Sequence, residues 1–102
     1  MDEHQALLET ATAALRQVVD PELGINVVDL GLVAGIEEDR GLLRVRYRLT
    51  SAACPVGGMM AAGMHDAVAL LPGVSDVQME LIEDPPWSVD CVTPEGRVLL
   101  GW

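Results

Sequence analysis

From Leu43 to Leu49 every second residue is apolar, and the residues between are arginines: Leu43, Val45, Tyr47 and Leu49 against Arg44, Arg46 and Arg48. A period of two with guanidinium groups on one side reads as a β-strand with one dry and one wet face. Such a strand is not stable alone; it needs neighbours in a sheet and a layer over its apolar face. Upstream, Leu30, Leu32, Ala34 and Ile36 alternate with Gly31, Val33, Gly35 and Glu37, and Glu38-Asp39-Arg40-Gly41 supplies a turn. The two runs are predicted to pair as a β-hairpin.

The covering layer comes from segments with helical spacing. Leu7, Leu8, Ala11, Ala14, Leu15 and Val18 share one face of a first helix, predicted to run to about Val19, where Pro21 biases Asp20 away from helical dihedrals. Met60, Met64, Ala67, Val68 and Leu71 form the stripe of a second helix that Pro72-Gly73 ends. A third strand is expected from Val74 to Glu83, with Val77, Met79 and Leu81 on one face, until Asp84-Pro85-Pro86-Trp87 breaks it. Thr93-Pro94-Glu95 combines a cap, a proline at the first helical position and an early acid, predicting a terminal helix to Leu100 closed by Gly101. The expected fold is a small α/β (α+β) domain over residues 1–102: a mixed three-stranded sheet with helices packed on it, in the order α-β-β-α-β-α.

Composition narrows the partners. The net charge is −10, and all six basic residues are Arg, which argues against nucleic acid and against anionic lipid surfaces. Half the residues are hydrophobic and 3% aromatic, with no Phe, so the core is expected to be aliphatic and Met-rich. The start, Met1-Asp2-Glu3-His4-Gln5, is unlike a secretory signal, and Met59–Leu71 is too short to span a bilayer. A cytoplasmic location follows as an expectation, with both cysteines as reduced thiols.

Cys54 precedes Pro55-Val56-Gly57-Gly58, which open the second helix. With proline at the first helical position, Cys54 becomes the cap, where free amides and the helix dipole favour a thiolate. A small buried hydrophobe at a loop end is the other reading. Asp20 and Glu22 flank Pro21; an acid at a helix carboxyl end opposes the dipole, which hints at function, yet Asp-Pro-Glu also makes a good tight turn. Asp29 reads as a turn-former. Thr50 and Ser51 stand in the loop that presents Cys54, where their hydroxyls either face a ligand or satisfy the backbone. The arginine stripe is read as cross-strand pairing with Gln78 and Glu80, or else as a docking face. His4, His65, Cys54 and Cys91 are too scattered for a zinc centre, and no histidine is placed to serve Cys54 as a base.

Two separated motifs point further. The run from Val18 through Asp20-Pro21-Glu22-Leu23-Gly24 to Asp29-Leu30-Gly31-Leu32-Val33, and Leu49-Thr50-Ser51-Ala52-Ala53-Cys54-Pro55, together resemble the signature of the metal–sulfur cluster biosynthetic (iron–sulfur cluster assembly, MIP18-like) family. The resemblance implies a stand-alone accessory factor, not itself an enzyme. Its cysteine, Cys54, would bind or transfer a transient iron–sulfur cluster, with no tightly bound cofactor. It further implies a pocket lined by Asp20, Glu22, Leu23, Thr50 and Ser51, and assembly proteins and client apoproteins as partners. Two alternatives are a client-recruiting module without metal, and an accessory subunit for a phenylacetyl-CoA-type oxygenase, although the cysteine-rich extension of that subunit is missing. Cys91 lies outside the pattern. A homodimer is also expected, because the apolar first strand makes a poor bare edge while the arginine-bearing second tolerates water; a terminal segment folded over that edge after Trp87 would permit a monomer.

Overall fold

The computed structural model describes residues 2–21, 23–50 and 57–102. Glu22, Ser51 and Cys54, three of the residues singled out above, lie outside the described residues. Among those described, three helices and three strands follow the expected order: α1 (Glu3–Leu15), β1 (Val33–Asp39), β2 (Leu42–Tyr47), α2 (Gly57–Ala69), β3 (Asp76–Leu81) and α3 (Pro94–Leu100), with a short 3-10 turn at Val89–Cys91.

β1 and β2 pair antiparallel through a two-residue turn, Arg40-Gly41, in which both residues have positive φ (53° and 90°). That is the geometry whose twist matches the flanking strands. β3 runs parallel to β2 after the α2 crossover, giving the order β1-β2-β3. The arginine strand is therefore central rather than an edge, a correction to the expected layout. Its charges are tolerated because its wet face is a ladder: Arg44 Nε donates to Gln78 at 3.1 Å, Arg46 Nε to Glu80 at 3.3 Å, and the Arg46 guanidinium pairs with Glu37 at 2.8 Å. Each such exposed pair contributes at most about 1 kcal/mol.

The dry face carries the core. Leu43 and Val45 meet Ala11 and Leu15 of α1, Met60, Met64 and Val68 of α2, and Ile25, Val27, Leu30 and Leu32 from the connection between α1 and β1. The aliphatic and Met-rich interior is as composition predicted.

Three element boundaries depart from expectation. α1 stops at Leu15, because the chain beyond it finds a partner: Val27 N–H donates to the Val18 carbonyl at 2.9 Å and Val19 bridges Asn26. Two β-branched residues favour that extended pairing over another helical turn. β1 starts at Val33, with Leu30 and Gly31 in a turn, and the register shifts between Val33 and Gly35. Ala34 is thus an extra residue, a bulge that swaps the inward parity, so Val33 and Ile36 lie on the core while Ala34 faces out. β3 is shorter than Val74–Glu83, and Leu81 at its end is 43% exposed instead of buried.

The terminal segment is anchored on the turn before β1. Trp87 Nε1 donates to the Leu30 carbonyl at 2.7 Å, and Thr93 N–H to the Asp29 carbonyl at 2.9 Å. Thr93 caps α3 by accepting from Gly96 N–H, and Gly101 closes it at φ 76°, as read from the sequence. This segment covers residues 29–31 and leaves the Val33–Ile36 edge open.

At the far end of β1, Glu38 accepts from Gly41 N–H at 3.0 Å and pairs with His4 of α1 at 2.6 Å. The Gly41 amide first, then His4, hold the Glu38 carboxyl below its ordinary value of 4.5. A carboxyl lowered in the folded state stabilises fully above its unfolded pKa, and that contribution is lost as pH falls through the folded value. Urea titrations should therefore show Glu38→Gln less stable than the native chain at neutral pH, with the gap closing below the ordinary value of 4.5. A gap that is constant with pH would exclude the carboxylate as its source.

Candidate functional site

Strand directions decide which residues share an end of the domain. α1 runs antiparallel to β1, since its start meets the end of β1 through His4–Glu38. The start of β1 pairs with the end of β2 (Val33 with Tyr47), which lies beside the end of β3 (Tyr47 with Leu81). α2 returns from the end of β2 to the start of β3, so its first turn sits at that same end. Close packing of Gly63 on Val18, where an added Cβ would lie 3.5 Å from a Val18 methyl, ties α2 to the chain just after α1. The Asp20 turn, Leu23, Thr50 and Gly57 are thereby brought to one end of the sheet. Thr50 and Gly57 are the described residues on either side of the segment that holds Ser51 and Cys54.

Asp20 is 3% exposed. Its Oδ1 accepts from Leu23 N–H at 3.1 Å, its carbonyl accepts from Gly24 N–H at 2.8 Å, and its own N–H donates to the Ile25 carbonyl at 2.9 Å. The carboxylate thus organises the turn it begins, as the structural reading of Asp-Pro-Glu anticipated. Asp29 likewise forms a turn, accepting from Asn26 Nδ2 at 2.8 Å and from the Thr93 hydroxyl at 3.1 Å. Thr50 is half-buried and Leu23 is 37% exposed. Cys91 is half-buried, its backbone packed on Gly31.

Apolar side chains surround this end. Val19, Leu23, Met59 and Leu81 are all exposed, Met59 most at 73%. Helical spacing sets Met59 off the Met60–Met64–Val68 stripe, consistent with its exposure. Leu49, Leu81, Glu83 and Pro86 line a cleft of about 290 Å³ here. A larger cavity, about 560 Å³, opens at the opposite end between Glu3, His4, Leu7, Glu38 and Pro72. Size does not make it the site, because it is remote from Thr50, Asp20 and the start of α2. Among the described residues no group of three or more His, Cys, Asp or Glu is gathered to hold a metal ion.

The family model for iron–sulfur cluster assembly proteins matches residues 8–81, from α1 through β3. The chain belongs to the iron–sulfur cluster assembly protein family. Within that family it is 39% identical over 98 residues to the Fe-S protein maturation auxiliary factor YitW of Bacillus subtilis, covering 95% of this chain and 96% of that one. It is 35% identical over 85 residues to the Fe-S protein maturation auxiliary factor SufT of Staphylococcus aureus, covering 82% and 97%. The crystal structure of a domain of unknown function from Bacillus anthracis superposes with a TM-score of 0.89 at 28% identity, over 96% of this chain and 94% of that one. The family match ends at β3, so the terminal segment that anchors on Asp29 and Leu30 lies beyond it.

Proposed function

We propose that this protein is an accessory factor in iron–sulfur cluster assembly and the maturation of iron–sulfur proteins, acting in the cytoplasm and not itself an enzyme. Likeness to two maturation auxiliary factors over nearly their full lengths carries this reading. The cluster is cargo, held transiently on the Cys54 thiolate. Asp20, Glu22 and Leu23 line the pocket, and Thr50 and Ser51 orient the sulfur. The gathering of Asp20, Leu23 and Thr50 at one sheet end supports that assignment. One thiol cannot supply the four ligands a cluster normally takes, so the others come from a client apoprotein, an assembly protein, a small thiol or a second copy. A second copy would make the protein a homodimer.

Anaerobic reconstitution with iron and sulfide tests this reading. The native chain and Cys91→Ala should acquire visible absorbance from a cluster, and Cys54→Ala should not. A native chain that takes up no cluster would replace this reading with a client-recruiting module. Sedimentation of the same samples reads the oligomer, and a mass near 10.9 kDa at every concentration would remove the dimer.

A further inference from the structure

We propose that the outer edge of β3 accepts an extended segment of a partner polypeptide as a fourth strand, a segment that alternates basic with apolar side chains. The identity of that partner, a client or an assembly protein, rests on the function proposed above; the docking geometry does not.

The two edges of the sheet differ. β1 is blunted by the Ala34 bulge and by three successive acids, Glu37, Glu38 and Asp39. Bulges and charges are how edges avoid unwanted pairing. β3 has neither a bulge nor a proline from Asp76 to Leu81, and its register against β2 is unbroken. Asp76 N–H donates to the Gly41 carbonyl and Ile82 N–H to the Tyr47 carbonyl, so the even-numbered residues bond inward to β2. Strand alternation then turns the backbone groups of Val77, Met79 and Leu81 outward. The Val77 amide is already used, donating to Asp76 Oδ1 at 2.9 Å. Among the described residues Met79 and Leu81 keep outward donors, and they lie toward the end of the domain where Asp20 and Thr50 are gathered.

Side chains select the occupant. An added strand sets one row of its side chains beside Gln78 and Glu80 and the other beside Met79 and Leu81, and such cross-strand neighbours interact directly. Just past the strand, Glu83 and Asp84 make no ion pair among the described residues. The first row is polar, with Gln78 and Glu80 already engaged by Arg44 and Arg46, so basic residues are drawn chiefly by this acidic exit. Apolar ones fit the second, next to the cleft of Leu49, Leu81 and Pro86. Two copies meeting here would bring two acidic strands together, each from a chain of net charge −10. A basic partner gains from the same field.

The probe is an acetylated, amidated heptapeptide alternating Arg and Val, added to the full chain and followed by amide hydrogen exchange. At saturation the Met79 and Leu81 amides should exchange at least about 10-fold more slowly, because local opening is suppressed. Leu81→Pro removes an outward N–H that the sheet does not use, which edge strands tolerate, and should weaken binding about 10-fold or more. Should that variant not fold, the same peptide N-methylated at alternate residues keeps its charge and side chains and should lose the protection. Binding without slowed exchange at Met79 and Leu81 would mean that arginine merely coats an acidic surface, and the proposal would fall; so would absence of binding. Protection of these amides that grows with protein concentration and no peptide would assign the edge to a second copy and overturn the proposal too. No readout here uses iron or sulfide, so failed reconstitution leaves this inference standing, and a cluster on Cys54 without edge protection removes this inference alone.

Discussion

Gly31→Ala will destabilise the protein by about 2–5 kcal/mol, through backbone strain and overlap together. Gly31 has φ 83°, and a Cβ built there would lie 2.2 Å from the Cys91 carbonyl oxygen and 2.5 Å from its carbonyl carbon. Those atoms are backbone, held by the anchoring of Trp87 on Leu30 and Thr93 on Asp29, so they cannot swing aside as a side-chain tip would. Gly24→Ala is the internal control: its φ is 76°, but nothing lies within 4 Å of the added Cβ, and strain alone should cost about 1–2 kcal/mol. Urea unfolding of both variants, followed through Trp fluorescence, measures the difference. Equal losses would show that the close approach of the terminal segment to the turn contributes nothing.

Where the chain obeys one period, the sequence could be read directly. β2 was legible because Leu43, Val45 and Tyr47 face a core and the arginines between them do not. The pairing of Arg44 and Arg46 with Gln78 and Glu80 followed from the same alternation. The Thr93-Pro94 start and Gly101 close of α3 were legible because caps are local chemistry. What escaped was set by distant partners. Val18 continues the helical stripe of α1 perfectly well, and the pairing of Val18 with Val27 and of Val19 with Asn26 takes the chain out of the helix. The Ala34 bulge leaves no trace in composition, since one inserted residue shifts parity without altering residue type. Strand order was half legible: the arginine pairing set Asp76–Leu81 beside β2, while the uncharged run before Glu37 argued, wrongly, against β1 as an edge.

The candidate site divides the same way. That Asp20 and Thr50, thirty positions apart, meet at one end follows from topology once α1 is known to run against β1. Ser51, Cys54 and Glu22 carry the chemistry proposed here and lie outside the described residues, so their roles rest on the family resemblance and on the thiol's position ahead of α2. The exposure of Val19 and Leu81 was not anticipated, because an exposed Leu or Val has no sequence mark of its own.

Asp20 separates structure from chemistry by substitution. Asp20→Ala removes the acceptor for Leu23 N–H from a position that is 3% exposed, and a hydrogen bond to a carboxylate is worth about 1.5–3 kcal/mol, so the loss should fall near that range. Asp20→Asn keeps an oxygen in place of Oδ1 and should restore much of it. The two variants therefore differ in turn stability, while both lack the negative charge. If Asn recovers stability and also recovers cluster uptake in the reconstitution assay, Asp20 acts by shaping the turn that borders the pocket. If Asn recovers stability yet cluster uptake stays as low as in the alanine variant, the carboxylate itself takes part at the site, as an acid beside a thiolate and its cargo would. An Asp20→Ala variant as stable as the native chain would show that the buried turn does not depend on this side chain, and the structural half of the reading would go.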